Sequence, residues 1–205
     1  MNRHEHWDRV YRRSGPSTVS WFQAQATLSL DLIGRVAPDR RATIVDVGGG
    51  ASTLADGLLD AGYRNVTVLD LSGAALSAAR QRLGARAQEV SWVEGDVLAE
   101  PLAPSAFAVW HDRAVFHFLT DPRDRAAYVD AARRAVRPGG HVIVASFALN
   151  GPTRCSGLEV VRYSPETMHS QFGSDFRLLD SVHEEHHTPS GATQPFVYCL
   201  CRVGG

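Results

Sequence analysis

Ile44-Val45-Asp46-Val47-Gly48-Gly49-Gly50, with an aspartate at position 70 ending the next apolar run, is the stretch that decides the fold. A β-branched run that stops at consecutive glycines and then takes up helical periodicity reads as strand, loop and helix. Glycine has no Cβ, so such a loop lets backbone approach a ligand closely. An acidic residue about 20 positions on is where a Rossmann-like unit accepts hydrogen bonds from ribose hydroxyls. Thr53 opens the helix, with Asp56 in the spacing of a capping box, and Leu54, Leu58 and Leu59 supply its apolar stripe.

The alternation extends both ways. Leu28, Leu32, Ile33 and Val36 recur at helical spacing ahead of the break at Pro38. Residues 66–69 form a second strand ending at Asp70, and Ser72 opens an alanine-rich helix to about Leu83. Residues 90–93 are a third strand, followed by Glu94-Gly95-Asp96; residues 107–110 are a fourth, running out at His111-Asp112. Asp121-Pro122 pairs an N-cap with proline at the first helical position. That helix is expected to stop at Arg137-Pro138-Gly139-Gly140, before a fifth strand over 142–145. Residues 176–183 and 196–202 read as an antiparallel pair closing the edge. The expected class is α/β: a doubly wound, mostly parallel seven-stranded sheet with an antiparallel edge strand, in a single domain over 1–205. Ligands of such sheets sit beyond the strands' C-terminal ends, so residues 46–50, 70, 96 and 111–117 should share one rim.

Composition narrows the chemistry. The 205 residues carry a net charge of −1, and Arg12-Arg13 and Arg133-Arg134 are only pairs, so no nucleic-acid partner is expected. No apolar stretch approaches the ~18 residues that span a bilayer, and the polar opening cannot be a secretory signal. Three cysteines (Cys155, Cys199, Cys201) form no framework, which fits a cytoplasmic location. The chain contains no lysine, which excludes a P-loop, a pyridoxal Schiff base and a Tyr-x-x-x-Lys dehydrogenase site together. No metal is expected: His183 and His186 lack the metalloprotease spacing, and a strand puts His186 and His187 on opposite faces.

A dinucleotide fingerprint starting at Gly48 fails at Thr53. S-adenosylmethionine, which joins a nucleoside to an amino acid without phosphate, suits a glycine loop flanked by acids. Residues 40–147 resemble the class I S-adenosylmethionine-dependent methyltransferases. Asp46, Gly48 and Gly50 match their first motif, although Ser52 replaces its third glycine. Asp70 and Leu71 match the ribose and adenine positions, Asp96 and Val97 the adenine-amino position, and Arg137-Pro138-Gly139-Gly140 the entry to the fifth strand. The resemblance implies the Rossmann-like methyltransferase fold and a cofactor held by these residues with Gly49. It also implies a methionine ammonium met by the backbone carbonyl of His111. The opening, His6-Trp7-Asp8 with Tyr11 and Trp21, is similar to a bacterial subgroup and to the citrate-synthase lysine methyltransferase. Residues 1–26 then either form a lid that brings Trp21 to the cofactor or pack their aromatic rings on the sheet.

On the acceptor side, Asp112 and His117 are the candidates for polarising or deprotonating a substrate, histidine having a suitable pKa of about 6.5. Arg113, Arg154 and Arg162, with Tyr163, are the candidate acceptor-binding residues, an arginine fork suiting a carboxylate. The Asn/Asp-Pro-Pro-Tyr/Phe motif of planar-nitrogen methylators is missing, which argues against adenine or glutamine as acceptor. The expected reaction is methyl transfer to a small molecule. A protein lysine acceptor, or a cofactor-binding module without turnover, are the alternatives. A closed pocket would favour the first, an open groove of negative potential the second.

Overall fold

A computed structural model describes residues 3–100 and 102–204. The first two residues of the 1–26 segment therefore lie outside the described residues. Helices α1 (Arg3–Arg13) and α2 (Thr27–Val36) precede β1 (Thr43–Val47), whose Ile44, Val45 and Val47 are fully buried. Then come α3 (Leu54–Asp60), β2 (Asn65–Asp70), α4 (Gly73–Leu83), β3 (Val90–Glu94) and β4 (Phe107–Arg113). Ser72 caps α4 by accepting the Ala75 N–H at 3.2 Å, as its position before the alanine run demands. The α3 cap differs from expectation by one residue. Ser52 Oγ accepts the Leu54 N–H at 3.1 Å, while Thr53 Oγ1 turns away to donate to the Gln23 carbonyl.

The chain continues through α5 (Pro122–Ala135), β5 (Val136–Phe147), a small hairpin of β6 (Arg154–Cys155) and β7 (Leu158–Glu159), and α6 (Pro165–Phe172). It ends with β8 (Phe176–His187) and β9 (Thr193–Val203). Arg137-Pro138-Gly139-Gly140 does not separate helix from strand. It lies inside β5 as a bulge opposite Ala108, with Val136 paired to Phe107 and His141 to Val109. Proline has no N–H for the ladder and Gly139 takes φ +75°, so both suit the bulge better than regular pairing.

The seven strands run in the order β3-β2-β1-β4-β5-β9-β8, parallel as far as β5. The antiparallel strand is β9, one place in from the edge; β8, paired antiparallel to β9, forms the edge itself. Helices α2, α3 and α4 cover one face of the sheet and α5 and α6 the other. No helix among the described residues is long and apolar enough to cross a membrane.

Candidate functional site

The parallel strands end together, and the loops that follow them enclose a cavity of about 770 Å³ of free space, open mouth included. The glycine turn after β1 is its floor. Gly48 and Gly50 take φ of +65° and +38°, in the left-handed region that disfavours side chains. A Cβ on Gly48 would stand 1.9 Å from Val115 Cγ2, and one on Gly49 2.3 Å from Asp46 Oδ2. The missing carbons thus make room for the protein's own side chains, which draw β4's turn and the Asp46 carboxylate against the loop.

Two carboxylates flank that turn. Asp70, at the end of β2, accepts the Ser72 N–H on Oδ1 at 2.7 Å and lines the cavity beside Leu71, Asp96 and Val97. Burial raises its pKa to about 7, and the neighbouring Asp46, Asp8 and Glu94 push the same way. Asp96 accepts the Leu98 N–H at 3.0 Å. Asp46 bonds through Oδ1 to His111 Nδ1 at 2.7 Å, and His111 Nε2 reaches Ser29 Oγ at 2.9 Å. Its other oxygen, Oδ2, is buried and finds no partner among the described residues. Asp46, His111, Gly48 and Gly49 line a second, smaller cavity that shares Tyr11, Trp21 and Arg113 with the first.

The front segment covers both. Asp8 of α1 accepts from Ser72 Oγ at 2.7 Å and from the Ala74 N–H at 3.3 Å, which docks α1 on the start of α4. Trp7 packs edge-to-face on Phe118 and Trp21, and Trp21 Nε1 donates to Tyr11 Oη at 3.3 Å. Burial drives the Tyr11 phenol well above its ordinary pKa, so it stays protonated. Trp7, Tyr11 and Trp21 all line the larger cavity.

Residues 44–140 match the methyltransferase domain family. A ubiquinone/menaquinone biosynthesis C-methyltransferase from Roseobacter denitrificans is 34% identical over 116 residues, 55% of this chain and 45% of that protein. An eEF1A lysine and N-terminal methyltransferase from Danio rerio is 27% identical over 122 residues, 60% of this chain and 17% of that protein. The chain thus spans less than half the length of either relative. Among solved structures, one described as the conversion of a disulfide bond into a thioacetal group during echinomycin biosynthesis superimposes with a TM-score of 0.79. It is 21% identical, over 99% of this chain and 93% of that one. An S-adenosylmethionine-dependent methyltransferase from Anabaena variabilis gives 0.75 at 16% identity, over 99% and 96%. These likenesses place the sheet and helices in the Rossmann-like methyltransferase fold.

The residues expected on the acceptor side lie elsewhere than the sequence reading put them. Asp112 and His117 reach neither cavity. Asp112 is wholly buried and spends its oxygens on the N–H groups of Val115 (2.9 Å) and Phe116 (3.0 Å) and on Tyr128 Oη (2.6 Å). It holds the turn in which Ala114 adopts φ +75°. His117 stacks on Phe147 with ring centres 4.6 Å apart, and burial lowers its pKa to about 3, so it is neutral. Arg154 and Arg162 bond carbonyls of their own loop, at Gly157 (2.6 Å) and Leu149 (2.8 Å). Tyr163 is buried against Phe116. None of these three lines the two cavities; Arg113 lines both, but its guanidinium is already engaged by Glu184, Tyr198 and the Trp21 carbonyl. Sequence reasoning missed Val115, Phe118, Leu119 and Ser29. The three apolar residues look like any core segment, and Ser29 lies within an ordinary helical stripe.

Proposed function

We propose that this chain is an S-adenosylmethionine-dependent methyltransferase acting on a small, largely apolar acceptor. One observation carries the reading. Asp46 and Asp70 are buried carboxylates on adjacent strands, either side of the glycine turn: Asp46 keeps a buried oxygen that no described residue satisfies, and Asp70, with Oδ1 on the Ser72 N–H, lines the larger cavity. A ribose offers two neighbouring hydroxyl donors and an amino-acid ammonium three N–H donors, so a nucleoside joined to an amino acid answers both needs. Leu71 and Val97 give a purine apolar contact beside Asp96. Two carboxylates in the larger cavity, Asp70 and Asp96, with Asp46 in the adjoining smaller one, disfavour a phosphate-bearing nucleotide. When bound, the cofactor supplies a methyl group on a positively charged sulfur.

The chain's own share is to hold, align and keep water out, and positioning alone is worth about 7–11 kcal/mol when alignment is good. Residues 1–26 are read as a lid on a single domain over 1–205, with Trp7, Tyr11 and Trp21 as its inner surface. Phe118, Leu119, Ala114 and Val115, with the cationic Arg3 and Arg113, also stand in the wall. An ammonium-bearing protein side chain would want an open, negative groove there, so a small acceptor is preferred. The test is a product-detecting transfer assay from isotopically labelled S-adenosylmethionine to thiols, amines, phenols, carboxylates and whole-protein lysates. A labelled small product supports the reading. Label in protein alone would support the lysine reading, and binding without label anywhere a module without turnover.

A further inference from the structure

A second polar cluster lies beside the carboxylate cradle and shares only Arg113 with the cavity wall. Arg113 ends β4 and Glu184 lies 71 residues away on β8, yet Arg113 Nη2 donates to Glu184 Oε2 at 3.0 Å. Both side chains are largely shielded, at 8% and 16% exposure. Tyr198 of β9 closes the ring, accepting from Arg113 Nε at 2.8 Å and donating to Glu184 Oε2 at 3.1 Å. The guanidinium also lies over the Phe196 ring, 4.1 Å from its centre.

The free arms of this network all run to residues 20–23. Arg113 Nη1 donates to the Trp21 carbonyl at 3.0 Å, and Glu184 Oε1 accepts from Gln23 Nε2 at 2.9 Å. Two positions along β8, His186 Nε2 meets the Ser20 carbonyl at 2.7 Å. The covering segment belongs to no strand, and its own backbone contributes the Phe22 N–H to Val19 carbonyl bond at 3.1 Å. Side chains from the sheet therefore hold it down. A buried ion pair is a poor stabiliser, because desolvation offsets its attraction. A satisfied polar network instead fixes one geometry. Here the fixed object carries Trp21, which lines both cavities.

We propose that Arg113 and Glu184 are positioning residues that fasten residues 20–23 as a gate over both cavities and so set how tightly the ligand beneath is held. The ligand's identity rests on the methyltransferase reading; the gate does not. If loss of the network cuts the closed population tenfold, the apparent Kd rises about tenfold.

The experiment compares wild type with Arg113→Met, Glu184→Gln and Glu184→Leu by hydrogen exchange and by calorimetry with S-adenosylhomocysteine. Arg113→Met and Glu184→Leu should speed exchange at Phe22 about tenfold or more, leave β1 and β2 protected, and weaken binding by a similar factor. Glu184→Gln keeps one accepting oxygen for Arg113 and Tyr198 but loses the charge and turns a donor toward Gln23, and should fall between them and wild type. If Arg113→Met does not fold, the two Glu184 variants decide the matter by the same readouts. Unchanged exchange at Phe22 in every folded variant overturns the gate. Wild type that does not bind the probe overturns the cofactor reading, while exchange still decides the gate. Wild type that binds, with variants within about twofold of it, overturns the gate and leaves the cofactor reading standing.

Discussion

Asp70 and Asp112 stand at the ends of β2 and β4, two strands of one parallel sheet, and serve different ends. Both are buried and both are raised, to about 7 and about 6, mainly by desolvation. Asp70 spends one oxygen on the Ser72 N–H and faces the cavity. Asp112 spends both on the turn beyond it and on Tyr128, whose hydroxyl in turn accepts from Trp110 Nε1 at 2.9 Å. On the proposed reading the β2 end awaits an outside donor, whereas the β4 end is complete in itself. A perturbed carboxylate at a sheet rim is therefore a site only if its hydrogen bonds are unfinished.

The largest expected effect breaks the comparison at Asp70. Asp70→Ala should cost about a hundredfold or more in S-adenosylhomocysteine affinity by calorimetry. It should leave the melting temperature unchanged or higher, since it removes a charge crowded by Asp46, Asp8 and Glu94. Asp112→Ala should do the reverse. It strands Tyr128 Oη and two N–H groups, costing about 3 kcal/mol or more, and lowers the thermal midpoint by roughly 10 °C in a scanning melt.

A pH titration sharpens the contrast. A carboxyl whose folded pKa is raised binds its proton more tightly in the folded than in the unfolded chain. Its neutral form is favoured at low pH, and stability falls as pH climbs from about 4 through about 7. Hydroxyl donors favour the ionised form, so S-adenosylhomocysteine should bind more tightly as pH rises through the same window. Melts and calorimetry across pH 5–8 should thus move in opposite directions, and Asp70→Asn should flatten the binding curve. The smallest effect is expected at His117: replaced by Phe, among Phe147, Phe118 and Phe196, it should leave kcat within about twofold. A hundredfold loss of kcat would restore it as a catalytic group.

The sequence made legible what adjacent residues determine. The glycine turn follows from backbone geometry, Ser72 and Asp121 cap their helices through neighbouring N–H groups, and the strand ends at Asp70 and Asp96 follow from pattern. Partners remote along the chain were not legible. Nothing near Asp112 announces that Tyr128, on α5, will take its oxygen, and nothing near Arg113 announces Glu184 on β8. The order β9 before β8 at the edge likewise depends on which strand β5 meets. Helix α6 went unread, although Ser164-Pro165 with Thr167 forms a reciprocal cap before it.

The most direct measurement is a crystal structure with S-adenosylhomocysteine bound. The account predicts the Asp70 carboxylate about 2.7 Å from both ribose hydroxyls and the amino-acid end against Asp46 in the smaller cavity, with Asp112 still bonded to Tyr128. Adenosine seated away from Asp70, or a ligand atom bonded to Asp112, would contradict it.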